Sequence, residues 1–204
     1  MLHELFPVPV WEENIGVPDG TLSFVDEKIK YERMGAYGNT KSISCNKQIL
    51  KEVPELENHV FEGISRYLRN HLLVAPNVTI EIVRSWVVLH YKGDYSDFHT
   101  HTNAVWSGIY YIQTEPNSGD LLFDKTGLYQ NCFLQVLEPD TLGYINATAK
   151  HHRFQPKPGD LFVFPSQLMH KAEPNQSTNC RYCIAFDVFI RGTIGTRHGN
   201  EVTL

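Results

Sequence analysis

The segment His99-Thr100-His101 sets two imidazoles two residues apart. Side chains alternate along an extended chain, so both rings leave the same face and can grip one ion together. Neutral imidazole suits iron, zinc, copper or nickel, with zinc or iron held through nitrogen at about 2.0–2.2 Å. Coincidence is the competing reading, because the chain has 10 histidines and the pair His151-His152 shows that neighbours arise by chance. A third histidine adds weight to the metal. His170 follows the apolar run 161–164, Pro165 and a short turn, and it begins a new segment before Pro174-Asn175.

Arg181 brings a second kind of chemistry. It opens a stretch in which Arg181, Cys183, Ala185, Asp187 and Phe189 share one face, while Tyr182, Ile184, Phe186, Val188 and Ile190 share the other. The wholly apolar face should pack on helices, which turns Arg181 into the interior. A buried guanidinium needs an anionic partner, since its desolvation is otherwise prohibitive. A dicarboxylate would supply one in a planar, bidentate geometry.

These residues need a frame. The first forty residues mix Pro, Gly and short apolar groups and predict an extended arm, one strand and loops. Ile43, Ile49, Leu50 and Val53, then Leu56, Val60, Ile64, Tyr67, Leu68 and Leu72, follow a helical period interrupted at Pro54, which predicts a short helix and a longer one. After Pro76 the sequence turns β-branched and alternating at 79–91, 105–112, 121–123, 133–136, 142–145, 160–164 and 181–190. Turns such as Pro116-Asn117-Ser118-Gly119 punctuate these stretches. About eight short strands after a helical half give an α+β protein whose strands form a sandwich or barrel. The expected organisation is one domain over 1–204, with helical support at about 1–76, a β core at about 77–190 and a tail at 191–204, where a subunit contact is one use.

Composition removes several classes of function. With 204 residues the chain can bury one good core. A net charge of -5 with only 18 Lys and Arg gives no basic stripe, so nucleic acid is a disfavoured partner. No apolar run reaches the ~20 residues that span a bilayer, and the start lacks a signal-peptide pattern, so a cytoplasmic protein is expected. Cys45, Cys132, Cys180 and Cys183 form no disulfide framework. Cys180 and Cys183 stand three apart on a strand and face opposite sides, which makes them packing residues rather than a chelating pair.

The run from Tyr91 through Gly93 to His99-Thr100-His101, then Ser107-Gly108-Ile109-Tyr110-Tyr111-Ile112, then His170 with Arg181 eleven residues on, resembles the Fe(II)/2-oxoglutarate-dependent oxygenases. It is similar above all to the microbial and phage oxygenases with an H-x-H and S-G-x-Y-Y signature, and more distantly to the prolyl hydroxylases. The resemblance covers about residues 80–190. It implies a double-stranded β-helix (a cupin-like jelly roll), Fe(II), 2-oxoglutarate as cosubstrate and O2. It further implies hydroxylation of an unactivated C–H bond in a peptide or small-molecule substrate, with succinate and CO2 as coproducts. By the same resemblance His99 and His170 match the histidine ligands, Arg181 the anchor of the cosubstrate's C5 carboxylate, and Tyr111 and Tyr91 tyrosines that hydrogen-bond the cosubstrate.

One position departs from that pattern. Where the family carries Asp or Glu two residues after the first ligand, this chain has His101. His101 is the expected third ligand, with a carboxylate such as Asp120 or Asp124, or water, as the alternatives. The main rival is a metal-dependent cupin, dioxygenase or isomerase, whose two motifs fit Gly93, His99 and His101, and Gly159, Pro165 and His170. Its glutamate is missing, since Val105 and Trp106 occupy the place, and Arg181 gives it no use. A metal-free jelly-roll binding protein would leave the three histidines unrelated. Trp86, Trp106 and Tyr110 are substrate-contact candidates that core packing explains equally well. A homodimer is compatible with the sequence, and the substrate is not named by it.

Overall fold

Alternation wins over helical period wherever a neighbouring strand is there to pair with. The computed structural model describes residues 7–35, 40–125, 142, 149–196 and 199–204. The strands are β1 (Trp11–Asn14), β2 (Tyr31–Met34), β3 (Lys41–Ser44), β4 (Thr79–His90), β5 (Ser96–His99), β6 (Trp106–Gln113) and β7 (Leu121–Asp124). They continue as β8 (His151–Phe154), β9 (Asp160–Pro165), β10 (His170–Ala172) and β11 (Arg181–Arg191), and end in a hairpin of β12 (Thr193–Ile194) and β13 (Val202–Thr203). The major sheet runs β1-β9-β6-β11-β4-β3-β2, and the minor sheet runs β5-β10-β7-β8. Together they form the α+β double-stranded β-helix expected from the sequence.

The helix Pro54–Arg66 starts with Pro at a first-turn position, where a missing N–H costs nothing, and carries Glu55 and Glu57 in that turn. Leu56, Val60 and Ile64 bury one stripe of it. That stripe meets Tyr110, Leu161, Ile184, Phe186 and Val188 on the outer face of the major sheet, in one apolar cluster. The opposite face contributes Val88, Tyr111, Phe162, Phe164, Cys183 and Ala185 to a second cluster with Leu121 and Phe123 of the minor sheet. Both faces of β11 are therefore buried, and the odd-numbered face, with Arg181, looks between the sheets.

The N-terminal region differs from the sequence expectation. It holds two strands, β1 and β2, and a helical stretch of Thr21–Ser23 and Phe24–Lys28, where an arm, one strand and loops were expected. The helix expected from Ser42 is a strand, β3, followed by a single tight turn at Ile49–Glu52. Pairing decides this: Ser42 and Ile43 lie opposite Leu89 and Val88 of β4, and a four-residue segment gains more from that ladder than from a helix too short to nucleate. Support for the core is thus partly β. The expected strand at 133–136 lies outside the described residues, as does all of 142–145 except Leu142.

Candidate active site

Register brings the histidines together. His170 opens β10 directly opposite His99, the last residue of β5, so the two rings meet across the minor sheet with centroids 4.4 Å apart. His101 lies past the end of β5. Its backbone N–H donates to the Ser166 carbonyl at 2.9 Å, which folds the short loop back over the cavity. The ring centroid of His101 then stands 5.3 Å from that of His99 and 5.2 Å from that of His170. One nitrogen of each imidazole lies within 4.8 Å of the others, a grouping that could hold a metal ion. Among the described residues no carboxylate or thiolate belongs to this group.

The outward-facing nitrogens fix which nitrogen points in. Nδ1 of His99 lies 2.7 Å from the Asp97 carbonyl, and Nδ1 of His170 lies 2.8 Å from the Leu168 carbonyl. A carbonyl only accepts, so both Nδ1 atoms carry hydrogen and both Nε2 atoms present lone pairs. Burial pushes both rings below their ordinary pKa, His99 to about 4 and His170 well down, so both are neutral near pH 7. This is the protonation state that metal binding requires.

His101 is held differently. Its Nδ1 lies 2.6 Å from Oδ1 of Asp187, a buried carboxylate on β11. Ser107 Oγ donates to the same oxygen at 2.8 Å, and Arg84 donates to the other oxygen from Nε at 2.8 Å and from Nη2 at 2.5 Å. Both neighbours follow from register, since Asp187 lies opposite Ser107 of β6 and Arg84 of β4. Burial pulls the Asp187 carboxyl up, yet the bonds and charges of His101, Ser107 and Arg84 outweigh it and hold the group below the usual carboxylate range. Sequence reasoning did not assign Asp187 a role, although alternation from Arg181 placed it on the inward face.

Arg181 is 1 % exposed and faces the same cavity. Nη1 donates to the carbonyls of Ser118 and Gly119, the latter at 2.9 Å, and Nη2 donates to the Glu173 carbonyl at 3.1 Å. Nε is buried with no partner among the described residues. No carboxylate hydrogen-bonds this cation and no Asp or Glu lines the chamber among the described residues, although Asp120, beside Gly119, lies near enough to act on it electrostatically. Its hydrogen bonds all go to neutral carbonyls that orient the fork, which suits an anionic ligand inside the chamber. The turn that precedes β7 does this orienting, and Gly119 has to be glycine: it sits at φ 88°, and a Cβ there would overlap the carbonyls of Glu173 and Pro174.

Other expected residues separate clearly. Tyr111 is buried and lines the chamber beside Arg181. Tyr91 does not. It lies one residue past β4 in a turn, half-exposed, with its ring under the Arg33 guanidinium, while its neighbour His90 takes the inward place. Asp120 and Asp124 lie outside the chamber and outside the histidine group. Trp86 lines the chamber, stacked on His101 at 5.7 Å, whereas Tyr110 and Trp106 belong to the helix-side core. Cys183 faces the chamber and Cys180 the helix side, on opposite faces as alternation requires. Ser107 and Gly108 also acquire reasons. Ser107 supports Asp187, and a Cβ on Gly108 would overlap the Phe186 ring and the Phe162 carbonyl.

The inner chamber, about 40 Å³, adjoins an outer cleft of about 290 Å³, and Lys41, Trp86, His99 and His101 line both. Converging neutral imidazoles beside a buried cation bonded only to neutral carbonyls, inside a double-stranded β-helix, define a metal-dependent jelly-roll enzyme with an acidic ligand. Residues 84–187, just over half of the chain, match the family described as "Putative 2OG-Fe(II) oxygenase", and the chain belongs to that family. Iron and 2-oxoglutarate are accordingly its metal and cosubstrate. Solved structures share the fold at low identity. A 2OG-Fe(II) oxygenase family oxidoreductase from Burkholderia pseudomallei aligns at TM-score 0.55 and 12% identity, covering 83% of this chain and 79% of its own. HygX from Streptomyces hygroscopicus, with nickel, 2-oxoglutarate and hygromycin B bound, aligns at 0.60 and 10%, covering 89% and 82%. The non-heme alpha ketoglutarate dependent epimerase SnoN from nogalamycin biosynthesis aligns at 0.60 and 10%, covering 89% and 78%. No curated protein sequence matches the chain. No helix among the described residues is long and apolar enough to cross a membrane.

Proposed function

We propose that this oxygenase hydroxylates an unactivated C–H bond of a small-molecule or peptide substrate, with iron held by Nε2 of His99, His101 and His170 and with the C5 carboxylate of 2-oxoglutarate held by Arg181. The observation that carries the proposal is Arg181. A fully buried guanidinium braced by three neutral carbonyls, its Nε unpartnered among the described residues, shares one chamber with three imidazoles whose Nδ1 positions are all taken. When bound, the metal and cosubstrate supply the oxidising power, converting 2-oxoglutarate and O2 to succinate and CO2.

The chain supplies position and dryness. Carbonyl and carboxylate partners set each imidazole tautomer, and the turn at Ser118-Gly119 aims Arg181. Tyr111, buried in the chamber wall, would donate to the cosubstrate, and Cys183 and Ala185 keep the wall beside Arg181 small. Three neutral ligands leave the metal one unit more positive than a triad with a carboxylate. Asp187, bonded to His101, returns part of that charge from one layer out. Trp86, Met34 and Ile43 give the outer cleft apolar walls next to His99 and His101, where a substrate would lie. HygX, which shares the fold, carries the small molecule hygromycin B, which supports a small-molecule reading here.

The test is succinate formation from 2-oxoglutarate with added Fe(II), in wild type, Arg181→Ala and His170→Ala. Turnover in wild type, its loss in His170→Ala, and rescue of Arg181→Ala only at greatly raised 2-oxoglutarate are expected. Equal turnover in all three proteins would overturn the residue assignment. Gain of one oxygen atom by a substrate separates a hydroxylase from an epimerase, whose product gains none.

A further inference from the structure

Besides Arg181, two lysines border this site: Lys171 sets its ammonium over the Phe98 ring at 4.9 Å, whereas neither the metal nor 2-oxoglutarate accounts for Lys41. It stands at the start of β3 and lines both the inner chamber and the outer cleft. Ser42 lies opposite Leu89, and Arg181 lies opposite His90, so Lys41, His90 and Arg181 fall in one row across three adjacent strands. The one hydrogen-bond partner of Lys41 Nζ among the described residues is the Ser96 hydroxyl, at 3.0 Å. Burial pushes its ammonium below the ordinary lysine value, against a smaller opposing effect of Cys183. The cleft's other cations are already balanced, Lys47 by Glu32 at 3.1 Å and Arg84 by Asp187 at 2.5 Å.

Charge bookkeeping points the same way. Fe(II), Arg181 and Lys41 carry four positive charges, and Lys171 over the Phe98 ring a fifth, while the three histidine ligands are neutral and 2-oxoglutarate brings two negative ones. Both of those are already committed under the proposed function, one carboxylate to the metal and the other to Arg181. No Asp or Glu lines either compartment among the described residues, and Asp187 is shared with Arg84. A desolvated ammonium left facing an open cleft calls for an anion from outside. The cleft beside it is mixed, with Trp86, Met34 and Ile43 giving apolar wall and Thr100 and Thr102 polar wall.

We infer that Lys41 anchors the substrate, which is an organic anion, a carboxylate or phosphate carried on an apolar body. This rests on the iron and cosubstrate assignment made above. The His90 ring, buried between Lys41 and Arg181 with Nδ1 unpartnered among the described residues, separates the two anion positions, so cosubstrate and substrate each have their own cation.

The test uses the full chain loaded anaerobically with Fe(II) and 2-oxoglutarate. Three probes are titrated, 3-phenylpropionate, 2-phenylethyl phosphate and the neutral 3-phenylpropionamide, and binding is read from the change in the visible absorption of the complex. The expected result is that at least one anion binds about tenfold or more tightly than the amide, and whichever anion it is names the source of the charge. Lys41→Met should abolish that preference while 2-oxoglutarate affinity stays within about twofold, and Lys41→Arg should retain the preference. The inference is overturned if wild type binds the amide as well as the anions, or binds none of the probes. It is also overturned if Lys41→Met keeps the preference but weakens 2-oxoglutarate, since Lys41 then belongs to the cosubstrate. Wild type that takes up iron and no 2-oxoglutarate contradicts the underlying assignment instead, and that result is read before any probe is added.

Discussion

Replacing Asp187 by Asn removes one negative charge and almost no volume, at a point where four donors converge. The carboxylate accepts from His101 Nδ1 and Ser107 Oγ on one oxygen and from Arg84 on the other. An amide can satisfy only one side. With its oxygen toward His101, the NH2 faces the Arg84 guanidinium, donor against donor. In the other orientation the NH2 faces His101, and Nδ1 must become the acceptor, which moves the ring hydrogen to Nε2 and takes away the metal-binding lone pair. Removing the outer partner of a metal-bound histidine costs about 10–100-fold in metal affinity, or about 1.4–2.7 kcal/mol. Arg84 is half-exposed, so water replaces most of its lost ion pair and the fold should lose only about 1 kcal/mol. The assay is competition for Fe(II) or Co(II) against a coloured chelator, with a thermal melt of the metal-free protein alongside. A folded Asn variant whose metal affinity stays within about twofold of wild type would refute the claim that Asp187 acts through His101.

Three further outcomes follow from the same geometry. Arg181→Met should leave iron affinity unchanged and weaken 2-oxoglutarate by about 100-fold, near 2.7 kcal/mol, as read by anaerobic calorimetry. Gly108→Ala forces a methyl into the Phe186 ring and the Phe162 carbonyl, so a loss of about 1–3 kcal/mol in denaturant unfolding is expected, with a matching fall in metal affinity as β6 shifts against Asp187. For pH, His99 has a folded value near 4 and His170 also lies well below the unfolded value of about 6.5. Between those limits the unfolded chain binds more protons than the folded one. Stability of the metal-free protein should therefore be level above about pH 6.5, fall as pH drops through that value, and lose on the order of 1–3 kcal/mol by about pH 4 through His99. Melting temperature measured across that range checks the direction.

What the sequence disclosed depended on whether the information was local. The alternation that turns Arg181 inward needs only the pleat of a strand, whereas His101, expected beside His99 by the same pleat, reaches it from a loop past the end of β5; the family match at 84–187 covers both. That His170 faces His99 depends on the register of β10 against β5, which no local pattern contains. Asp187 was on the right face by parity, but its partners are cross-strand neighbours from β4 and β6. Lys41 was missed because its segment carries a helical spacing of apolar residues that β4 overrides. Tyr91, expected beside the cosubstrate, lies outside the chamber. Alternation puts His90 inside, and the turn starting at Tyr91 carries the tyrosine to the surface. The S-G-x-Y-Y run was visible as a signature, while the work of its Ser and Gly, a bond to Asp187 and a close approach of two strands, emerges only when the sheet is assembled.

The central claim is that three histidines and Arg181 form one site for iron and 2-oxoglutarate. Anaerobic titration of 2-oxoglutarate into the Fe(II)-loaded chain tests it most directly. The account predicts one iron and one 2-oxoglutarate per chain, with iron uptake lost in His170→Ala and cosubstrate uptake lost at ordinary concentrations in Arg181→Met. Iron bound at full occupancy with no uptake of 2-oxoglutarate would contradict it and return the site to the metal-dependent cupins.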